Sequence, residues 1–281
     1  MLQVQSYNPN TSYPKTERQT RNAEPTFGWK DYDTVQQENQ GYEKTAIFAG
    51  LLQLFSSSLN KVSQWLGNRL SSSKEFTSAE NVQRVADDII KNNKLGVTVE
   101  YISPENLTKM QFKYGPEGLA EVAAGRNAFY SDAQKLAVAP KSKPSLLPHE
   151  LGHAVNAKSK FWSALQKSRK YSAFAPVAAL VLSKINANKD GSPNFVERNA
   201  GLLGFCAFLP TIIEEGKASL RGIKQAKKTL AKEISLGQVS LKALKRNYLT
   251  AWLTYVVAGI GLGVATKFAV LENKLNTGDK I

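Results

Sequence analysis

Apolar side chains recur at helical spacing over Val82, Val85, Ala86, Ile89 and Ile90, which predicts an amphipathic helix across 78–92. The preceding Thr77-Ser78-Ala79-Glu80 reads as a capping box, a hydroxyl and a carboxylate satisfying free helix N–H groups. Val97, Val99 and Tyr101 alternate with polar partners and predict a strand that Pro104 ends. After a glycine-containing loop, 127–131 and 135–139 read as two short strands about a turn at Asp132. Ser145 is placed as the N-cap of the next helix, with Pro148 at its third position, where the missing N–H costs nothing. Upstream, an apolar run over 46–55 continues through Val62, Trp65, Leu66 and Leu70, a helix for the core or for a membrane interface. Residues 1–43, rich in Gln, Asn, Thr, Ser, Pro and Glu, have no usable apolar period and are expected to form a mobile tail.

Three uncharged stretches follow the central helix, of 13 residues at 171–183, 15 at 199–213 and 19 at 248–266. At about 1.5 Å per residue the third spans a bilayer core of roughly 30 Å, and the first two fall short. The third is therefore expected to be a transmembrane helix, with Gly259 and Gly263 as a small-xxx-small face for close packing. The first two, joined by the turn-prone 188–194, are expected to form a helical hairpin, embedded in the membrane or buried in the core.

Composition narrows the class. With 281 residues, 42% of them apolar, the chain can bury a sizeable core and is neither a disordered chain nor a fibre. Its one cysteine, Cys206, excludes an internal disulfide. The formal charge of +14 is uneven: residues 1–45 carry five basic and six acidic groups, 158–170 five basic and none acidic, and 217–246 nine basic and one acidic. Basic clusters beside apolar segments fit the cytoplasmic side of a membrane protein and attract anionic lipid. No aromatic-interleaved basic stripe is present, so nucleic acid is not expected as a partner.

Both histidines of the chain fall in His149-Glu150-Leu151-Gly152-His153. Residues four apart share a helix face, so the two imidazoles can reach one Zn²⁺, and Glu150 is close enough to serve as a general base without being a ligand. Leu146, Leu147, Leu151, Ala154 and Val155 suggest that this helix is buried, where unpartnered His and Glu would be costly. A hydrolytic zinc site needs a third protein ligand, and no third histidine exists. The candidates are Glu214 and Glu215, 61 and 62 positions beyond His153, and less plausibly Cys206. Of two adjacent carboxylates at the end of an apolar helix, one ligand and one surface charge is the expected division.

Taken in order, Asn127-Ala128-Phe129, Leu147-Pro148 with the H-E-L-G-H run, an apolar hairpin and Glu215-x-x-Ala218 resemble the membrane-associated gluzincin endopeptidases. That group includes the HtpX-type quality-control proteases and the CAAX prenyl-protein peptidases. The resemblance covers roughly 125–220. It implies that His149, His153 and Glu215 bind zinc, that Glu150 is the general base, and that the 127–131 strand pairs with an extended substrate through Asn127, Ala128 and Phe129. Matching Ala218 to the family's alanine selects Glu215 over Glu214. Where the family has Asp, this chain has Ser219, whose hydroxyl can orient a histidine without bringing charge. The family's late oxyanion-side His or Arg has no assigned equivalent; Arg221 or a tyrosine are the candidates.

The combined expectation is an α+β, mainly helical, zincin-like metallopeptidase domain with a small sheet, an apolar helical hairpin and a C-terminal transmembrane helix. Its parts are a tail at 1–43, the domain at 44–246 with the hairpin at 171–213, the transmembrane helix at 247–267 and a tail at 268–281. Zn²⁺ is the expected cofactor, and protein or peptide substrates and membrane lipids are the expected partners. The expected location is a membrane, crossed more than once, with the catalytic face on the cytoplasmic side. The competing expectation is a catalytically inactive, metal-stabilised membrane scaffold of the same fold.

Overall fold

The computed structural model describes residues 53–277 apart from 56, 71 and 117. The tail expected over 1–43 and most of the 46–55 apolar run lie outside the described residues. The described chain is mainly helical, with one three-stranded sheet. Helix α1 (57–70) buries Leu66 but leaves Val62 and Trp65 exposed, so much of its apolar surface faces outward.

Helix α2 (Ala79–Asn93) buries the predicted Val82, Val85, Ala86 and Ile89. Its cap is Ser78 rather than the Thr77–Glu80 box. The Ser78 hydroxyl accepts from the Asn81 amide at 3.4 Å, while Thr77 Oγ1 accepts from the Asn81 side chain at 2.8 Å. Strand β1 (Thr98–Ile102) follows. The expected loop beyond it carries two short helices, α3 (Leu107–Tyr114) and α4 (Leu119–Ala123). They bury Met110, Leu119 and Val122 against Ile102, and are too short to show a period.

Strands β2 (Phe129–Ser131) and β3 (Leu136–Pro140) complete the sheet, in the order β1-β3-β2. β1 runs parallel to β3 and β2 antiparallel to it. Every residue of the central β3 is buried. Ala137 and Ala139 face the core shared with α2, while Leu136 and Val138 face α3 and α4, so both faces of the sheet are covered. One edge of β2 has no strand beside it among the described residues.

Helix α5 (Leu147–Ala157) carries the H-E-L-G-H run. Ser145 is not its N-cap. It sits in a 3₁₀ turn, Pro144–Leu146, and its amide and hydroxyl donate to the Glu75 carboxylate at 3.1 and 2.9 Å. Pro148 lies in the first turn of α5 as expected from its missing N–H. On one side, Leu147 and Leu151 pack into the α2–sheet core. On the other side, α5 meets a long helix.

That helix ends the apolar hairpin. After α6 (Lys160–Ser168) and a 3₁₀ stretch (Arg169–Phe174), the first arm is α7 (Ala175–Ile185) and the second is α8 (Phe195–Thr229), started by an Asn194–Glu197 capping box. The second arm does not stop at 213. It runs 35 residues, straight through Glu214 and Glu215 and past an internal Pro210. A short α9 (Ala231–Ser235) leads to α10 (Leu241–Thr277), one helix that crosses both expected boundaries, at 246/247 and at 267/268.

α8 and α10 pack antiparallel. Trp252 Nε1 donates to the Ile212 carbonyl at 2.9 Å, and Lys267 Nζ to the Glu197 carbonyl at 2.6 Å. Gly259 and Gly263 face α8: a Cβ at Gly263 would stand 2.6 Å from the Gly201 oxygen. Both helices are long and apolar enough to cross a membrane, and only 28% and 22% of their apolar windows are buried. Such exposure differs from the core helix of a soluble domain. The 11-residue α7 is too short to cross.

Candidate metal centre

The centre is built where α5 crosses α8, and two glycines permit the crossing. A Cβ on Gly152 would lie 2.5 Å from the Ala218 carbonyl oxygen, and one on Gly222 would lie 3.0 Å from the Pro148 oxygen. Backbone thus meets backbone between the two histidines and beside Glu215, a distance that any side chain at Gly152 would prevent.

Three donor atoms converge there. His149 Nε2 stands 3.1 Å from Glu215 Oε2 and 3.1 Å from His153 Nε2, and His153 Nε2 stands 3.4 Å from Glu215 Oε2. Tetrahedral bonds of roughly 2.0–2.1 Å set neighbouring ligand atoms about 3.3 Å apart, so this triangle has the dimensions of three corners of such a site. His149, His153 and Glu215 form a group able to hold a metal ion. Cys206 is exposed and is not among them.

The outer nitrogens of both rings are engaged. Ser219 Oγ lies 3.0 Å from His149 Nδ1, and Glu214 Oε1 lies 2.7 Å from His153 Nδ1. These contacts turn both Nε2 atoms toward the shared point, the arrangement in which partner groups orient metal-binding imidazoles. Glu214 is therefore not the surface charge expected of one member of the pair. It is fully buried, and it also accepts from Asn156 Nδ2 at 3.0 Å. Arg221 donates to Asn156 Oδ1 at 2.7 Å, which puts its side chain behind Glu214 rather than at an oxyanion position.

Arg169 closes the cluster. Its guanidinium spans the two glutamates, Nη1 to Glu214 Oε2 at 2.9 Å and Nη2 to Glu215 Oε1 at 2.5 Å. Each carboxylate then has one oxygen on Arg169 and one directed at a histidine. Nothing in the sequence near Arg169 distinguishes it from the other bases of the 158–170 cluster; only the turn after α6 brings it here. Asn156 carried a usable signal, since it follows His153 by three residues on the same helix face.

The electrostatics favour a cation. Glu150, Glu214 and Glu215 are all buried, with one guanidinium to offset them. Burial disfavours a charged His153, but its hydrogen bonds to Glu214 and Glu215 outweigh that and push its pKa up to about 10. Burial also pushes the Glu150 carboxyl up; the two histidines oppose this and the two glutamates reinforce it. A site that grips a proton this firmly is one where an added positive charge is welcome.

His149 and Glu150 open onto a cavity of about 460 Å³. Asn127 and Ala128 line it, as do Tyr248 and Tyr255 of α10. Phe129 does not: it packs with Leu119, Val122 and Val138 and so anchors β2 to the sheet. Of the residues matched to the substrate-binding motif, two border the cavity and one is structural. The chain matches no protein-family model, no curated protein and no solved structure.

Proposed function

We propose that the protein is a membrane-associated zinc endopeptidase of the gluzincin type. The observation that carries this reading is the donor triangle of His149, His153 and Glu215, with Glu150 beside it at the mouth of a cavity. Two imidazoles and one carboxylate leave a fourth tetrahedral position for water, the pattern of hydrolytic rather than structural zinc. Zinc held there supplies Lewis acidity toward a carbonyl and lowers the pKa of water toward 7.

The chain's own residues do the rest. Glu150, whose buried carboxyl has a raised proton affinity, accepts the proton of the attacking water and returns it to the departing amine. Ser219 and Glu214 keep both imidazoles aimed, and Arg169 holds the free oxygen of Glu215 so that a single oxygen faces the histidines. The edge of β2, continuing from Asn127 and Ala128 at the cavity wall, offers backbone groups to an extended peptide. Tyr255 lines the same cavity and is a better oxyanion-side candidate than Arg221.

Two exposed apolar helices support a membrane setting, with Glu214 and Glu215 immediately after the uncharged stretch of α8. Hydrolysis would then occur near the boundary of the apolar layer, on the side where the basic clusters gather, the cytoplasmic side by the positive-inside rule.

The test is metal analysis of the purified full chain together with cleavage of quenched fluorescent peptides and unfolded membrane substrates. The parent is expected to bind one zinc and to cleave; Glu150→Gln is expected to keep the zinc and lose cleavage by at least about a hundredfold. A Glu150→Gln protein that cleaves as fast as the parent overturns the mechanism. Stoichiometric zinc with no cleavage by the parent identifies a metal-stabilised scaffold instead.

A further inference from the structure

A second concavity, of about 450 Å³, opens between α6, α8 and α10; Tyr248 lines both it and the cavity at His149, and Ser219 also borders it. Its apolar wall is formed by Trp162, Ile213, Leu220, Leu249 and Trp252, and Lys217 and Lys245 also line it. Ile213, Leu220 and Leu249 are exposed, an unusual concentration of bare apolar surface around one groove. The floor is constructed. Trp252 is held by its hydrogen bond to the Ile212 carbonyl, and it lies where Gly216 has no side chain, a Cβ there standing 3.0 Å from Trp252 Nε1.

The two lysines lack carboxylate partners among the described residues. Lys217 instead stacks over the Trp162 ring, 5.4 Å from its centroid. Their level along the helices is informative. Lys217 stands four residues, about 6 Å, beyond the end of the uncharged stretch of α8 at Ile213, and Lys245 with Arg246 immediately precedes the uncharged stretch of α10. Ile213, Leu249 and Trp252 thus lie at the hydrophobic level. Lys217, Lys245 and the Trp162 ring mark its boundary, the depth of headgroups and aromatic belts, and Leu220 stands beyond Lys217 on the polar side. A soluble anion has no use for the apolar wall, and an apolar peptide has none for two unpaired cations.

We propose that this groove binds an anionic phospholipid from the surrounding membrane, with an acyl chain along Ile213, Leu249 and Trp252 and its phosphate at Lys217 and Lys245. The inference rests on the membrane setting above and is independent of the hydrolytic chemistry. Two basic contacts at a membrane surface correspond to a preference of roughly tenfold or more over a zwitterionic lipid.

The test uses the full chain in nanodiscs of phosphatidylcholine carrying increasing fractions of phosphatidylglycerol brominated on its acyl chains, read by tryptophan quenching. Quenching is expected to saturate at low phosphatidylglycerol fractions, and brominated phosphatidylcholine is expected to need roughly ten times the fraction. A chain with Trp162→Phe should lose part of the saturable signal. Lys217→Glu with Lys245→Glu should abolish the preference while zinc content stays that of the parent. Equal quenching by the two lipids, or a preference that survives the charge reversal, overturns the groove as a lipid site. A chain that does not incorporate into bilayers at all overturns this proposal and the membrane setting together, whereas a metal centre that loads normally in either case leaves the zinc reading standing.

Discussion

Glu214 and Glu215 are adjacent, yet they act at different depths of the same centre. Glu215 offers Oε2 to the shared point, and Glu214 backs His153 from the opposite ring nitrogen. Replacing each should separate the roles. Glu215→Ala is expected to abolish stoichiometric zinc binding. Glu214→Gln keeps the three donors, but it weakens the partner that aims His153 and is expected to lower zinc affinity by roughly 10–100-fold. Competitive titration with a chromophoric chelator measures both; equal losses would show that Glu214 is itself a ligand. Ser219→Ala removes only a neutral hydrogen bond to His149, so its effect on affinity should be the smaller one.

At the scale of elements, the metal centre depends on how closely α5 approaches α8. Gly152 is the tightest point of that crossing, its absent Cβ 2.5 Å from a backbone oxygen that cannot turn aside. Gly152→Ala should force the helices apart at a cost of about 1–3 kcal/mol. For a chain of this size that corresponds to a fall in Tm of roughly 2–10 °C. The same displacement separates His149 and His153 from Glu215, so zinc affinity should fall with it. Calorimetry beside metal titration checks the pair, and a variant with parental Tm and affinity would refute the close-approach account. The α8–α10 seam makes a parallel case: Gly263→Leu should disrupt the packing against Gly201 and lower thermal stability without touching a donor atom.

For the molecule as a whole, the centre ties three parts together: α5 from the sheet-containing core, the 3₁₀ stretch after α6 through Arg169, and α8 from the apolar hairpin. A metal ion bound only by the folded chain would stabilise all of them at once. At a free concentration one hundred times its Kd the gain is about 2.7 kcal/mol, and chelation should lower Tm accordingly. A Tm unmoved by chelator would mean that the cluster holds no metal under those conditions. The exposed apolar faces of α8 and α10 make the second expectation at this scale: the full chain should stay with membranes through an alkaline carbonate wash and leave them only in detergent.

Much of the centre is legible in the amino-acid sequence. H-E-x-x-H needs only helical periodicity to place two imidazoles on one face, and with two histidines in the chain no other pair competed. The α2 face, the three strands and the glycine face of α10 were likewise local patterns, each set by a period of 3.6 or 2 or by a four-residue repeat. What the sequence alone could not supply was anything decided by contact across the chain. The Ser145 cap yielded to a Glu75 carboxylate 70 residues away, and the hairpin's second arm continued past 213 because Glu214 and Glu215 found buried partners that made charge tolerable inside a helix. Arg169 carries no local mark, since one lysine- and arginine-rich turn looks like another until tertiary structure chooses which guanidinium meets two buried carboxylates. Periodicity is written residue by residue and can be read from the chain. The pairing of buried charges depends on which distant segments are brought within 3 Å, and only the folded molecule determines that.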